Sequence, residues 1–267
     1  MKYFAFLCLV VICWACTTES KELEQRTEIV TVDKVAIDSI RAVYAARMSK
    51  LENPFPTAQV LEVGKLNPVD EAPLDTMFFL LREDLKDAVA RKDIFELLKW
   101  VDEDIKCSFG AESGLEGFIQ LWGLDTPAKT QQSLLWGVLG DLLEQGGVFS
   151  DNGRRFTMPY TFATFPDQYD SFTHGAITGS GVRIRERPDL NAGVVQSVSY
   201  EIVKIVERTA EELTIGGETH PWVKVALLNG KEGFVFGKFV ASPLDYRAIF
   251  EQKAGEGWRM TVLVAGD

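Results

Sequence analysis

The chain has 267 residues, 46% hydrophobic and 25% charged, ordinary proportions for a globular protein with enough apolar material for a core. Twenty-eight Lys and Arg against 39 Asp and Glu leave a net charge of −11, which argues against a nucleic-acid binder, because such proteins need basic patches to displace counterions from phosphate. A chain of this length suggests one to three compact units, and beyond the N-terminus no stretch is long and apolar enough to predict a transmembrane helix.

The N-terminus sets one charge, Lys2, before an unbroken apolar run from Tyr3 to Ala15, then Cys16 and the polar Thr17, Thr18, Glu19 and Ser20. Charged start, apolar middle and small residue at the cut are the order of a secretory signal peptide. The run is shorter than the ~20 apolar residues a spanning helix needs. A cysteine directly after the small residue makes it resemble a bacterial lipoprotein signal, although Cys13 stands where an aliphatic residue is usual. The resemblance implies residues 1–15 as signal peptide, lipidation at Cys16, and a membrane-anchored protein of the cell envelope. An ordinary secreted protein cut near Ala15 is the alternative. The four cysteines are Cys8, Cys13, Cys16 and Cys107; after processing Cys107 stands alone, and its apolar-alternating surroundings predict a buried structural thiol.

Residues 16–72 read as a lipidated terminus and tether, with one short amphipathic helix marked by Val35, Ile37, Ile40, Val43, Tyr44 and Met48 and stopped by Asn53-Pro54-Phe55-Pro56. From Asp75, Phe78, Leu81, Leu85 and Val89 recur at helical steps. Asp93 and Glu96 then form a capping-box spacing before Ile94, Leu97, Leu98 and Val101, a second helix expected to end in the solvated Asp102-Glu103-Asp104. Ile105 to Phe109 alternates as a strand. Leu115 to Trp122 and Ser133 to Glu144 read as helices, the second capped by Ser133 and stopped by Gly146-Gly147. Phe156 to Phe172 is rich in rings and expected to supply one or two strands and covering loops, with an aromatic ligand pocket as the functional alternative. Residues 73–175 are thus expected to form a helix-rich α+β domain. The order helix, helix, strand, helix is faintly similar to the nuclear-transport-factor-two-like superfamily. That resemblance implies a cone-shaped domain, with residues 244–267 as a closing hairpin.

Residues 176–243 carry the most specific pattern. Val182, Ile184, Arg185 and Pro188 open it, Val194 to Ile205 supply two strands, and Trp222 starts a strand that turns at Asn229-Gly230 into Gly233-Phe234-Val235. Asn-Gly is a strong hairpin signal, since both residues tolerate positive φ. This segment resembles a bacterial SH3-like domain, which implies a small β-barrel that binds cell-wall peptides or protein partners. Arg185, Tyr200, Trp222 and Phe236 are the candidate contact residues. Arg183, Arg185 and Arg187, at two-residue spacing, are either a solvated face or a cationic strip for carboxylates.

No phosphate loop, nucleotide fingerprint, metalloprotease motif or nucleophile elbow is present. The only histidines are His174, with Asp167 and Asp170 nearby, and His220. An Asp–His pair would serve acid–base chemistry, but surface histidines are the plainer expectation. The fold class expected is therefore α+β: a helix-rich domain, a small SH3-like barrel and a C-terminal hairpin. The function expected is a non-enzymatic envelope lipoprotein that binds wall peptide or an envelope protein, with no cofactor, metal or catalytic residue. An enzyme or small-molecule binder with a pocket in residues 73–175 is the alternative.

Overall fold

The computed structural model describes residues 36–51, 55–110 and 113–266; Cys16 and the apolar N-terminal run lie outside them. Contacts divide the chain at Leu51. In the first unit, residues 36–48 form a helix, α1, that places Ile40, Tyr44 and Met48 on one half-covered side at four-residue steps.

The second unit is mixed α+β. Its helices are α2 (Thr76–Arg91), α3 (Ile94–Leu98), α4 (Gly114–Leu121), α5 (Pro127–Gln132), α6 (Leu135–Glu144) and α7 (Tyr160–Ala163). Local chemistry explains their ends. Asp75 accepts from the Phe78 amide at 2.8 Å to start α2, and Lys92 leaves it in the left-handed region at φ 54°. Asp93 caps α3 by accepting from the Glu96 amide, whereas the Glu96 carboxylate turns to Lys99 instead of closing a capping box. Ser133 accepts from the Leu135 amide and donates to the Trp122 carbonyl, so it starts α6 and ties it to the end of α4.

Strands β1 (Val101–Lys106), β2 (Val148–Ser150), β3 (Arg155–Met158), β11 (Arg247–Lys253) and β12 (Gly257–Val264) form one sheet in the order β1-β12-β11-β3-β2. Only β1 and β12 run parallel. The second helix is shorter than its apolar spacing predicts. It stops at Leu98, and Asp102-Glu103-Asp104 lie in β1. The reason is visible at Asp102, which is 3% exposed and paired with Lys253 of β11 at 2.5 Å, a partner far away in sequence.

The helices cover one face of this sheet. Phe78 of α2 is the hub, with ring centroids of Phe156, Trp258, Phe250 and Phe149 at 4.3, 4.9, 5.4 and 5.6 Å. Cys107 is buried in the same core.

Between β3 and β11 the chain leaves this sheet and builds another. Strands β4 (His174–Ile177), β5 (Val182–Arg185), β6 (Val194–Val198), β7 (Ile202–Ile215), β8 (Glu218–Leu227), β9 (Glu232–Phe236) and β10 (Val240–Ala241) are ordered β10-β4-β7-β8-β9-β5-β6. All pairs are antiparallel. The sheet curls around Val182, Ile184, Val203, Val223, Val225 and Val235. Asn229-Gly230 makes the β8–β9 turn, with Gly230 at φ 83° and its amide donating to the Leu227 carbonyl at 2.9 Å.

A third cluster, Leu66, Val69, Tyr160, Ala176 and Ile202, joins the two sheets beneath the extended segment 55–72. The Leu66 amide donates to Tyr200 O at 2.7 Å and the Ile202 amide to Gly64 O at 2.9 Å. Farther along, Arg82 of α2 donates through Nη1 to both oxygens of Asp70 at 2.6 and 2.7 Å.

Candidate binding surfaces

Alternation along β8 and β9 sends Val223, Val225 and Val235 inward, so Trp222 and Phe236 lie on the outer face of the curled sheet. They are cross-strand partners with ring centroids 6.0 Å apart. The outer face is nevertheless closed at this corner, for Trp222 is 4% and Phe236 5% exposed. Asp141 of α6 reports what lies nearby. Its carboxyl is pushed up by loss of water contact and by the Glu218 charge, against the opposing pull of His220 and Lys238. Asp141 of α6 therefore lies near the start of β8, and Trp222 and Phe236 are themselves buried.

The other two residues predicted to touch a ligand are also committed. Arg185 pairs with Phe234 across β5 and β9 and is half-buried, its Nη1 donating to the Ala192 carbonyl at 2.8 Å, so it pins the β5–β6 loop. Tyr200 occupies the β6–β7 corner at φ 59°; its amide donates to Gly179 O and its carbonyl receives the Leu66 amide. Its phenol lies near that of Tyr160, which burial, with a smaller contribution from Tyr200, pushes well above the usual tyrosine range. The structure thus brings Trp222 and Phe236 together and leaves Arg185 and Tyr200 elsewhere on the module.

Arg183 and Arg187 are different. Both are exposed, and neither side chain makes a hydrogen bond or ion pair with the described residues. Arg183 stands opposite Ser197 on the β5–β6 hairpin, next to the sheet edge at β6.

Residues 180–241 match the family model described as the bacterial SH3 domain. They form an SH3 domain. No curated protein and no solved structure matches the chain. SH3 domains of this kind are modules that bind proteins or cell wall, and on this one Arg183 is exposed on the β5–β6 hairpin.

A second concave surface lies outside the SH3 domain. An open cleft of about 420 Å³ is lined by residues 162, 165–167 and 169–172, by Pro243, Leu244 and Arg247, and by Gly266. Arg247 forms its stacked wall, with the guanidinium carbon 4.6 Å from the Phe162 centroid and 5.5 Å from that of Phe109. Its Nη1 donates to Gly266 O at 2.6 Å. The Asp–His arrangement considered from sequence does not form through a carboxylate. Asp170 accepts from the Phe172 amide and from Thr173 Oγ1, whereas His174 Nδ1 meets the Asp170 carbonyl at 3.2 Å. Among the described residues, no three His, Cys, Asp or Glu side chains are grouped to hold a metal ion.

Sequence reasoning missed this cleft because its walls are far apart in the chain. The rings of residues 162–172 were legible, but nothing local placed Arg247 against Phe162.

Proposed function

We propose that the protein is an exported, non-enzymatic lipoprotein of the bacterial cell envelope, anchored through Cys16, whose SH3 domain binds a cell-wall peptide or a protein partner. The SH3 domain at residues 180–241 carries this reading. Two exposed arginine side chains without partners among the described residues, in a chain of net charge −11, support a ligand with carboxylates, which arginine recognises with paired hydrogen bonds. The apolar run ending at Ala15-Cys16 supports export and anchoring, since a lipid-bearing terminus would hold the body at a membrane surface.

The test is co-sedimentation of the chain from Thr17 onward with purified cell-wall sacculi. Arg183→Ala/Arg187→Ala is the informative variant, because both side chains are exposed and their loss leaves the fold intact. Binding reduced about tenfold in the folded variant, a change of roughly 1.4 kcal/mol, supports wall recognition by this face. No binding by the parent turns the reading to a protein partner. An intact mature protein without acyl mass on Cys16 refutes the anchor.

A second reading, a small-molecule binder, draws support from the cleft, whose rings Phe162, Phe165 and Phe172 fall within residues 73–175.

A further inference from the structure

The protein hides its aromatic rings well. Phe78, Phe79, Phe118, Phe156 and Phe250 are all at most 1% exposed. Among the described residues, three phenylalanines are open: Phe95 of α3 is 79% exposed, and at the cleft Phe172, in its lining, is 66% exposed and Phe109, stacked on Arg247, is 52% exposed. Exposed rings around a concavity mark a binding site more often than they mark failed packing.

The polar lining narrows the ligand. Asp167, Tyr169 and Ser171 line the cleft, and their side chains make no hydrogen bond or ion pair with the described residues. One carboxylate and two hydroxyls are therefore ready to accept and donate. Among the described residues, the charges that line the cleft are Asp167 and Asp170 against Arg247, two negative and one positive, so neither polarity dominates. An anion meets two carboxylates, and a cation meets a guanidinium already seated on the Phe162 ring. A neutral ligand with apolar faces and many hydroxyls meets neither penalty. Its C–H faces lie on rings such as Phe172, while its hydroxyls bond to Asp167, Tyr169 and Ser171. A cleft open along one side admits a chain as readily as a single unit.

We propose that this cleft is a carbohydrate-binding site for neutral oligosaccharides, separate from the SH3 domain. The rings supply stacking, and Asp167 and Tyr169 supply hydroxyl recognition.

The experiment is calorimetric titration of the full chain with N-acetylchitotetraose and with cellotetraose, beside trialanine as a zwitterionic peptide probe. Phe172→Ala and Asp167→Ala are run in parallel, with near-ultraviolet circular dichroism to show that the core is intact. Both positions are exposed, so folding is retained. The result expected is saturable binding of at least one saccharide, weakened about tenfold or more in each variant, and unchanged in Arg183→Ala/Arg187→Ala. That last arm separates this site from the SH3 reading. The proposal is overturned if neither saccharide binds the folded protein, if both cleft variants bind as tightly as the parent, or if trialanine binds in a Phe172-dependent way and the saccharides do not.

Discussion

Replacing Arg82 with Met tests how the extended segment 55–72 is held. Arg82 is 3% and Asp70 7% exposed, and one nitrogen lies within 2.7 Å of both carboxylate oxygens. Met keeps most of the apolar stem but leaves a buried carboxylate with, among the described residues, the Ala72 amide at 3.2 Å as its remaining donor. Removing one partner of such a pair costs about 3–5 kcal/mol, because the other charge stays buried without compensation. The segment is an irregular connection that can open to water locally, which places the expected loss near the lower bound, about 3 kcal/mol. With a urea slope of about 3 kcal/mol per molar, the midpoint falls by about 1 M. Arg82 Nε also lies 3.4 Å from Glu83, so the single variant removes more than one interaction. Asp70→Asn/Arg82→Met isolates the pair: it should be more stable than Arg82→Met alone, with a coupling above about 1.5 kcal/mol. Urea unfolding followed by tryptophan fluorescence reads both. A midpoint shift below about 0.3 M, or no coupling, refutes the claim that this pair holds the segment.

The other expectations concern the first sheet, its core and the SH3 domain. Burial alone would raise the Asp102 carboxyl, but the Lys253 hydrogen bond, the Asp104 amide and the Arg259 charge bring it below the usual aspartate range. Stability from a lowered carboxyl is present above its unfolded pKa, about 3.9, and is lost as pH falls through the folded value. The urea-midpoint penalty of Lys253→Met should therefore be larger at pH 7 than at pH 3; equal penalties refute the pairing. Phe78→Ala, at the centre of four ring contacts, should cost about 3–5 kcal/mol by urea unfolding. Gly233→Ala should destabilise by about 1–3 kcal/mol, since a Cβ there meets the Arg185 carbonyl oxygen at 2.6 Å, and a neutral outcome would contradict the close β5–β9 approach.

Sequence patterning revealed what is local. Helical spacing from Phe78 to Val89 identified α2, and the Asn229-Gly230 turn with Gly-Phe-Val after it identified the SH3 module. The α+β class followed from these. Lost were features made by partners distant in the chain. Asp102 looked like a helix end because Lys253 is remote. Trp222 and Phe236 read as ligand contacts because nothing in β8 or β9 announces that the outer face of the sheet is covered there. The β7–β8 hairpin is longer than its pattern predicts, which ends near Ile205 and resumes at Trp222. Yet Gly216-Gly217 between Leu213-Thr214-Ile215 and Glu218-Thr219 is a hairpin signal on its own terms.

The topology bears on how the two candidate surfaces relate. β3 and β11 are neighbours, with Met158 opposite Ala248 and Arg155 opposite Glu251, yet the whole SH3 domain lies between them in sequence. A module whose two ends return to one place in a sheet is held at two points, unlike a domain strung at the end of a linker. The cleft sits at those exits: residues 162–172 follow β3 and precede the SH3 domain, and Pro243, Leu244 and Arg247 lead back into β11. Segment 55–72 adds a third tie, bonded through Gly64 and Leu66 to the β6–β7 corner and through Asp70 to α2. Loosening that tie with Arg82→Met should raise amide exchange at Leu66 and Ile202 before it unfolds the Phe78 core, because local opening draws first on segments with few buried contacts. If exchange at Leu66 and Ile202 instead rises only with global unfolding, the segment is an integral part of the core.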